Sequence, residues 1–447
     1  MKKILLVNPW IEDVSAYDYW LKPLGLLYIS SLLKHIGIQS ILIDCLDRYD
    51  DELITFSPKF GEKYYGTGKF LESEIPKPQS IASIPRRFKR FGFPEEVLRK
   101  KIRQVKNVDC VFVTSMMTYW HYGVHDTIRI IKDEMPSVPV ILGGVYATLL
   151  PEHARRYSGA DKVCPGTGTE PLKMALGFLG INETLDFDWF DELDPDYSVY
   201  KSARYAVLIS SLGCPFKCTY CASSLLWNSF VRRDPVKSAR FVKHLTASKG
   251  LSDIVFFDDA ILVGSGFKRL MEEFERLRIK ARFHLPNGVH ARFIDRETAD
   301  LMYMNNFKTI RIGLETSDPV MQNSTGGKVN LDDIFVAIEN LSSAGFTSRE
   351  ISAYIMVNLP GQSEEDVLAS LRICEELRIS PSLNEFTPIP GTVQWKELTR
   401  GGVFDEDIDP LLLDNSILPY WWKEGFSPDA VQRLKEKAWS LRRRLND

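Results

Sequence analysis

Three of the seven cysteines in this 447-residue chain lie within eight consecutive positions of the stretch GCPFKCTYCASS: Cys214, Cys218 and Cys221. A structural zinc site is normally closed by four ligands in two close pairs, and no further Cys or His lies within twenty residues on either side. A Cys-x-x-Cys redox dithiol would leave Cys214 unexplained. An iron–sulfur cube normally takes four thiolates, so three in one loop would leave one iron open. The spacing favours a 4Fe–4S cluster, with zinc and a redox or structural role as alternatives.

Acidic and amide side chains stand near the ends of three predicted strands further along the chain. Asp258 and Asp259 form a carboxylate pair in IVFFDDAIL, a pattern that is equally typical of a helix N-cap. Asn287 lies in HLPNGVHARF, and Glu315 lies in IRIGLETSD. An isolated glutamate at a strand end is more often solvated, so the interest of Glu315 depends on the whole series.

Glycine and hydroxyl residues follow three predicted strands in the first part of the chain. Glycine lets the backbone approach a bulky ligand closely, and hydroxyls can bond a nucleotide tail. The last group precedes a helix N-terminus, which suits an anionic group, and a G-x-G-x-x-G fingerprint is absent. The candidate binding residues are Ser115, Thr118, Gly143, Gly144, Ala147, Thr148, Gly166, Thr167 and Gly168.

The elements that must position these residues alternate between strands and helices. The apolar runs KILLVNP, QSILIDCLD, VDCVFVTSM, VPVILGG and ADKVCPG read as strands, and helical patterns such as PLGLLYISSLLKHIG, 123–135 and 151–157 lie between them. Continuous apolar strands separated by helices predict an α/β fold whose parallel sheet is covered on both faces. The expected fold is a doubly wound, Rossmann-like or flavodoxin-like domain, which binds ligands beyond the carboxyl ends of its strands.

A second alternation begins near residue 206. Strands are predicted at 206–211, 253–257, 281–285, 308–313, 351–357 and 383–387, with helices between them, such as 266–279. Six strand–helix units make most of an eightfold barrel of the TIM type, a partial (β/α)6 barrel. Functional residues of such barrels lie where the strands end and the loops begin, which is where the cysteine stretch falls.

These patterns divide the chain into domains. We predict a doubly wound domain at 1–180 with an insertion at 51–106, a linker at 181–203, a partial barrel at 204–395 and a small C-terminal extension at 396–447. The insertion carries the basic run PRRFKRFG. This run is interpreted as a solvated or packing surface, with a surface for an acidic or phosphorylated partner as the alternative.

Composition restricts the class of protein. The formal charge of −3 and the pI near 6.2 give no bias toward nucleic acid, so a nucleic-acid partner is not expected. No run approaches the length of a transmembrane segment, and MKKILLVNPW has too short an apolar stretch for a signal peptide. Seven dispersed cysteines do not form a disulfide framework. The expected location is the cytoplasm.

The cysteine stretch resembles the signature of the radical S-adenosylmethionine (SAM) enzymes: Cys-x₃-Cys-x₂-Cys with an aromatic residue, Tyr220, before the last cysteine. The resemblance implies a 4Fe–4S cluster whose open iron binds SAM, a 5′-deoxyadenosyl radical formed by reductive cleavage, and an electron donor such as flavodoxin or ferredoxin. It implies that Tyr220 belongs to the cofactor site and that Asp258 and Asp259 meet the methionine end of SAM. Asn287 and Glu315 would contact its ribose or amino acid part.

The later strand ends depart from this family pattern at two positions. The segments YIMVNLPGQSEED and FTPIPGT correspond to the fifth and sixth strand ends, which shape the adenine site in the family. Asn358 stands where relatives commonly carry glycine, and Gln362 stands where they commonly carry glutamate.

The segments VTSMMTYWHYGVHDT and VILGGVYATLLPEHA resemble the cobalamin-binding domain of one large class of these enzymes. This resemblance implies that cobalamin binds at the glycine and hydroxyl residues named above. The string Asp-x-His-x-x-Gly, which supplies a histidine to cobalt in many cobalamin proteins, is absent. The four histidines of this domain, His35, His121, His125 and His153, are expected at the surface or in packing.

Together the two resemblances imply a cobalamin-dependent methyltransferase that methylates an unactivated carbon or, less often, phosphorus. The alternative is a radical reaction without methyl transfer, such as ring formation, oxidation or carbon–carbon coupling. A non-catalytic sensor is a third reading. An RNA methylthiotransferase is disfavoured, because Cys45, Cys110 and Cys164 are scattered and form no auxiliary cluster. The substrate would be a small molecule, a lipid or a peptide.

Overall fold

The computed structural model of the chain describes residues 2–57, 62–183 and 185–446. Its residue contacts separate two compact units. Unit 1 comprises residues 1–204 and 404–414, and unit 2 comprises residues 205–403 and 415–447.

Unit 1 is built around a five-stranded parallel sheet with the spatial order β3-β1-β6-β7-β8. Numbered along the sheet's own strands, this is the order 2-1-3-4-5, the flavodoxin-like form of the doubly wound fold. The predicted fold class of this part is therefore confirmed. The strands of unit 1 are β1 (Lys3–Asn8), β2 (Ile11–Asp13), β3 (Gln39–Asp44), β4 (Glu72–Glu74), β5 (Lys89–Phe91), β6 (Cys110–Val113), β7 (Val140–Leu142) and β8 (Lys162–Val163).

Both faces of this sheet are covered by helices. Side chains alternate along a strand, so Leu5 and Val7 of β1 enter one core cluster while Ile4 and Leu6 enter the other. The helices are α1 (Leu24–His35), α2 (Asp51–Phe56), α3 (Glu95–Gln104), α4 (His121–Glu134), α5 (Val145–Leu149), α6 (Pro151–Tyr157), α7 (Glu170–Phe178) and α8 (Trp189–Glu192). The first cluster packs under α3 to α6, and the second packs under α1 and α7.

The predicted insertion at 51–106 forms ordered structure on unit 1. Outside residues 58–61, which lie beyond the described part, it contributes β4 and β5 to a three-stranded antiparallel sheet with β2. It also supplies α2 and α3, and α3 carries Val97, Leu98 and Ile102 into the first core cluster.

Unit 2 contains six parallel strands in consecutive order, β9-β12-β13-β14-β15-β16, and a short β10–β11 hairpin. The predicted partial barrel is thus confirmed. Its strands are β9 (Tyr205–Leu208), β10 (Ser211–Leu212), β11 (Val231–Arg232), β12 (Asp253–Phe256), β13 (Arg282–Val289), β14 (Phe307–Glu315), β15 (Ile351–Val357) and β16 (Ser380–Glu385).

Helices follow the strands of unit 2, as the alternation predicts. They are α9 (Ser223–Leu226), α10 (Pro235–Ser248), α11 (Gly266–Arg276), α12 (Arg296–Met304), α13 (Pro319–Ser324), α14 (Leu331–Ala344), α15 (Glu364–Glu376), α16 (Val393–Arg400) and α17 (Pro428–Asn446). Phe274 of α11 stacks on Phe283 of β13 at 4.8 Å, and Phe283 contacts Phe307 of β14 at 5.3 Å. This aromatic row anchors α11 to the sheet. No helix of the described residues is long and apolar enough to cross a membrane.

The division by contacts differs from the predicted domains in two places. The predicted linker at 181–203 is not free, because Leu185 joins the second core cluster of unit 1 and Phe190 lies near Tyr28. Residues 404–414, predicted within the C-terminal extension, belong to unit 1. Neither feature has a periodic signal in the sequence, because both depend on tertiary packing of short irregular segments.

Candidate functional site

The three clustered cysteines follow β10 at the carboxyl edge of the barrel sheet. Gly213 precedes them with φ +72°. A Cβ atom there would lie 2.6 Å from the carbonyl oxygen of Ser229, so only glycine fits this close approach. The thiols of Cys214, Cys218 and Cys221 are partly exposed.

Asp258 supports the entry to the cysteine loop. Its buried carboxylate accepts hydrogen bonds from the Ser210 amide at 3.0 Å and from the hydroxyls of Ser210 and Ser211 at 2.8 and 2.6 Å. Burial raises the pKa of Asp258, and these donors oppose that rise. Both oxygens are engaged within the protein, so the predicted contact of Asp258 with a cofactor stays a prediction without structural support.

Asp259 and Asn287, the other two residues predicted near the second and third strand ends, differ in their hydrogen bonding. Asp259 is exposed and accepts a hydrogen bond from the Ser223 hydroxyl at 2.6 Å. Its charge acts on the thiols of Cys214 and Cys221, which places it beside the cysteine loop. The amide of Asn287 donates to the carbonyls of Phe257 and Asp258 at 3.0 and 3.3 Å. It therefore joins the end of β12 to β13.

Glu315 ends β14 in an ion pair with a residue that the sequence analysis did not identify, Lys328. The two charged atoms are 2.5 Å apart, and both side chains are largely buried. A Cβ atom on Gly313 would lie 2.7 Å from the Glu315 carboxylate, so that glycine makes room for the pair. Burial alone would lower the pKa of Lys328, but the Glu315 carboxylate raises it above its ordinary value. Glu315 adopts φ +62°, a strained conformation that is concentrated at functional sites.

The ammonium group of Lys328 connects this pair to the cysteine loop. It lies 5.9 Å from the ring centroid of Tyr220. The preceding turn approaches the loop closely, because a Cβ on Gly326 would lie 2.9 Å from the Cα of Cys218. The Thr219 amide also donates to the Thr325 carbonyl at 3.1 Å. The glycine pair before Lys328 was the available signal in the sequence.

The donor set of this loop, three partly exposed cysteine thiols, fits an iron–sulfur cluster, whose cysteines bind separate irons. Among the described residues, no group of three Cys, His, Asp or Glu side chains is arranged to hold a single ion. Burial raises the pKa of the Cys214 thiol to about 11, which favours its protonated form. A bound metal would favour the thiolate instead.

The remaining cysteines are buried and separate from this loop: Cys45, Cys110, Cys164 and Cys374. Burial raises the pKa of Cys110 and of Cys374 to about 12. These thiols have the environment of small apolar residues.

The two departures from the family pattern have structural roles. Asn358 follows β15 with φ +71°, a conformation that asparagine tolerates. Its side-chain oxygen Oδ1 accepts a hydrogen bond from the Phe426 backbone amide at 2.6 Å and so holds the C-terminal segment. Gln362 closes its own loop, accepting from the Leu359 amide at 3.1 Å and donating to the Met356 carbonyl at 3.0 Å.

In unit 1, the predicted binding residues meet at the carboxyl ends of the neighbouring strands β6, β7 and β8. The Ser115 hydroxyl donates to the Gly143 carbonyl at 2.9 Å and accepts the Tyr146 amide at 3.1 Å. Thr148 likewise donates to the carbonyls of Gly144 and Gly166, at 2.8 and 3.1 Å. These two hydroxyls therefore shape the loops, and their predicted contacts with a nucleotide tail stay predictions.

The glycines of this edge keep their backbone accessible. Gly143, Gly144 and the stretch 166–168, which includes Thr167, are partly exposed. A Cβ on Gly168 would lie 3.5 Å from the Trp189 indole nitrogen. Thr118 and Ala147 are buried beneath the edge. Partly exposed glycine backbone at the ends of two adjacent strands, β7 and β8, fits a large ligand such as a corrin.

Three of the histidines expected at the surface or in packing form one cluster, in which His121 is buried and the other two are partly exposed. The His121 imidazole contacts the Asp409 carboxylate at 2.9 Å, and the Tyr146 hydroxyl bonds His125 and His153 at 3.0 and 2.7 Å. Burial, with His121 nearby, lowers the pKa of His125 to about 2 and that of His153 to about 4. His35 is exposed and stacks near Phe187. No motif or spacing in the sequence indicated Asp409, which lies 288 positions from His121.

Family models match both regions that carry these sites. The model of the Radical SAM superfamily matches residues 208–374, and the model of the B12 binding domain matches residues 90–176. Residues 208–374 therefore form a radical SAM domain, and residues 90–176 form a B12 binding domain. The cysteine loop, Asp259, Glu315 and Lys328 lie within the first matched region. The glycine loops and the histidine cluster, except Asp409, lie within the second.

Curated relatives of this chain are distant in sequence. An uncharacterised methyltransferase of Pyrococcus horikoshii is 22% identical, covering 75% of this chain and 76% of the relative. The cytidylyl-2-hydroxyethylphosphonate methyltransferase of Streptomyces wedmorensis is 22% identical, covering 91% and 83%. An anaerobic magnesium-protoporphyrin IX monomethyl ester cyclase of Cereibacter sphaeroides is 21% identical, covering 68% of this chain and 55% of the cyclase.

One solved structure resembles nearly the whole chain in fold. It is the radical S-adenosylmethionine methyltransferase TsrM from Kitasatospora setae, determined with cobalamin and a [4Fe–4S] cluster bound. The TM-score is 0.68 at 15% identity, and the match covers 99% of this chain and 91% of TsrM. At this identity the likeness concerns the fold.

Proposed function

We propose that this radical SAM enzyme is a cobalamin-dependent methyltransferase acting on a small molecule. One observation carries the proposal: a single chain combines a three-cysteine loop at a barrel's carboxyl edge with a B12 binding domain whose glycine loops lie at the same kind of edge. Cofactors bind at such edges in both folds.

The chain's own residues have distinct tasks in this proposal. Cys214, Cys218 and Cys221 hold the cluster, and the glycine loops of unit 1 hold cobalamin. When bound, the cluster supplies an electron to SAM and cobalamin carries a methyl group. The Glu315–Lys328 pair and Asp259 provide charged groups beside the cysteine loop, suited to orienting the charged amino acid end of SAM.

Two of the three relatives described above are methyltransferases, which supports methyl transfer. The Streptomyces wedmorensis enzyme acts on a phosphonate, so carbon and phosphorus both stand as candidate methyl acceptors. The proposal extends to a cytoplasmic location and to an external one-electron donor such as flavodoxin or ferredoxin.

Counting the coproducts of turnover tests the reaction. Full-length protein is reconstituted anaerobically with iron, sulfide and cobalamin, and candidate substrates are supplied with SAM and a reductant. Methyl transfer predicts 5′-deoxyadenosine and S-adenosylhomocysteine in about equal amounts, together with a methylated product, because one SAM is cleaved and another donates methyl. Substrate-dependent deoxyadenosine without the homocysteine coproduct would exclude methylation.

A second candidate function is a radical reaction without methyl transfer. The similarity to the Cereibacter sphaeroides cyclase favours it, although the match covers only 55% of that protein. The same measurement separates the two functions, since this reaction consumes SAM without producing S-adenosylhomocysteine.

A further inference from the structure

The side chain of His290 lies against the cysteine loop without a role in the proposed function. His290 directly follows β13 and is 5% exposed. Its ring stacks on Phe216, which lies between Cys214 and Cys218, with centroids 4.7 Å apart and planes inclined by 25°. Phe293 contacts the same ring edge-on at 6.2 Å. The imidazole is therefore held in one orientation between two aromatic rings.

One nitrogen of this imidazole faces a cysteine sulfur. The Nε2 atom of His290 is 3.8 Å from Sγ of Cys214, within hydrogen-bonding range for sulfur. The Nδ1 atom is buried and has no hydrogen-bond partner among the described residues. A buried N–H without an acceptor is costly, so the ring proton belongs on Nε2. Both the neutral Nε2–H tautomer and the imidazolium can donate from this atom.

The other two sulfurs have different neighbours. The Sγ atom of Cys221 accepts the backbone amide of Ser223 at 3.4 Å. Burial raises the pKa of the Cys218 thiol, and the Lys328 ammonium and the Tyr220 hydroxyl oppose that rise. Cys214 is therefore the cysteine of the three whose sulfur faces an imidazole donor, and each of the three sulfurs has a different neighbour.

We propose that His290 is a positioning residue whose Nε2–H donates a hydrogen bond to the Cys214 thiolate and raises the reduction potential of the cluster. The inference rests on the proposed function, in which Cys214 binds that cluster. Reduction adds one electron from an external reductant, and the added negative charge strengthens an N–H···S hydrogen bond. Hydrogen bonds to the sulfurs are a recognised determinant of cluster potential.

The test is a redox titration of the reconstituted full-length protein, monitored by the EPR signal of the reduced cluster. His290→Phe keeps an aromatic ring against Phe216 but removes the donor, so its midpoint potential should be more negative than that of the wild type. His290→Gln retains a donor group and should lie between the two. His244→Phe is the matched control, because His244 is exposed on α10, and its midpoint should equal the wild-type value.

An unshifted midpoint in His290→Phe, with full iron content, would overturn the inference and leave the proposed function intact. Wild-type protein without any cluster would overturn both. If His290→Phe cannot hold a cluster, the hydrogen bond is tested in the wild type by ENDOR spectroscopy of the reduced protein labelled with ¹⁵N-histidine. A histidine nitrogen coupling to the cluster spin supports the hydrogen bond, and its absence overturns it.

Discussion

Gly144 shows how one residue determines the glycine edge of unit 1. It precedes α5 with φ +89°, a conformation that side chains other than glycine rarely adopt. A Cβ atom at this position would lie 2.5 Å from the Ser115 carbonyl oxygen and 2.6 Å from the Ser115 nitrogen. Neither backbone atom can move without displacing the end of β6. A side chain on Gly144 would therefore distort the loop itself, whether or not a ligand is bound.

We predict that Gly144→Ala lowers the stability of unit 1 by about 2 kcal/mol, the usual scale for a strained backbone position. Cobalamin binding should weaken with it. Thermal unfolding of the apo protein, and corrin absorbance after incubation with cobalamin and gel filtration, measure the two effects.

Gly143→Ala is the matched control for this prediction. The nearest atom to a Cβ at Gly143 is the Cys164 carbonyl oxygen at 3.7 Å, an ordinary contact. This variant should keep the wild-type unfolding temperature. Equal unfolding temperatures for the two variants would contradict the argument.

At the residue scale, the sequence predicted the groups that act through local spacing. The three cysteines lie within eight positions, so their common loop could be predicted without a structure. The partnership of Glu315 and Lys328 could not, because the turn that returns Lys328 to the end of β14 has no periodic pattern. The sequence predicted Asp258 as a cofactor contact. Its hydrogen bonds to Ser210 and Ser211 could not be predicted, because they join residues 47 and 48 positions apart.

At the scale of elements, the histidine cluster joins four pieces of unit 1. His121 and His125 lie on α4, Tyr146 on α5 and His153 on α6, and Asp409 attaches the segment 404–414. The uncharged forms of His125 and His153 are favoured, because burial opposes a positive charge on either ring.

This cluster predicts acid sensitivity in unit 1. The folded-state pKa of His153, about 4, and that of His125, about 2, lie below the ordinary value of 6.5. Below about pH 6.5 the unfolded chain therefore binds protons that the folded chain excludes. The stability that the two uncharged histidines contribute is fully present above that pH. It is lost as the pH falls toward the folded-state pKa values, about 4 for His153 and about 2 for His125. Thermal unfolding at pH 7 and at pH 5 should show a lower midpoint at pH 5.

The double variant His125→Gln/His153→Gln removes the two titrating groups, so its midpoint should fall less between the two pH values. His35→Gln, at an exposed position of the same unit, should keep the full pH dependence. An equal fall in the double variant would assign the acid sensitivity to other groups.

The elements themselves were predictable where burial is continuous. Strands such as β1, β6 and β7 of unit 1 and β12 of the barrel are apolar runs of the kind that parallel sheets bury on both faces. The observed ends of elements differ from the predicted ends where a turn terminates the element. The helix predicted at 266–279 ends at Arg276, because Arg278 adopts the left-handed conformation with φ +50°.

At the scale of the whole molecule, each unit has its own sheet and its own group of candidate binding residues. The cysteine loop is held by contacts within unit 2, from Asp258, Ser229 and the Gly326 turn. The glycine edge is held within unit 1, by Ser115 and Thr148. Loading of the two cofactors should therefore be separable.

We predict that replacing Cys214, Cys218 and Cys221 with alanine abolishes the cluster and leaves cobalamin binding unchanged. The substitutions remove thiolates from a partly exposed loop of unit 2, whereas the glycine edge belongs to unit 1. Iron and sulfide analysis after anaerobic reconstitution should fall from about four irons per chain to none, while corrin absorbance stays at the wild-type level. Deoxyadenosine formation should be lost. Full iron content in this variant would move the cluster to Cys45, Cys110, Cys164 and Cys374, whose burial argues against that role.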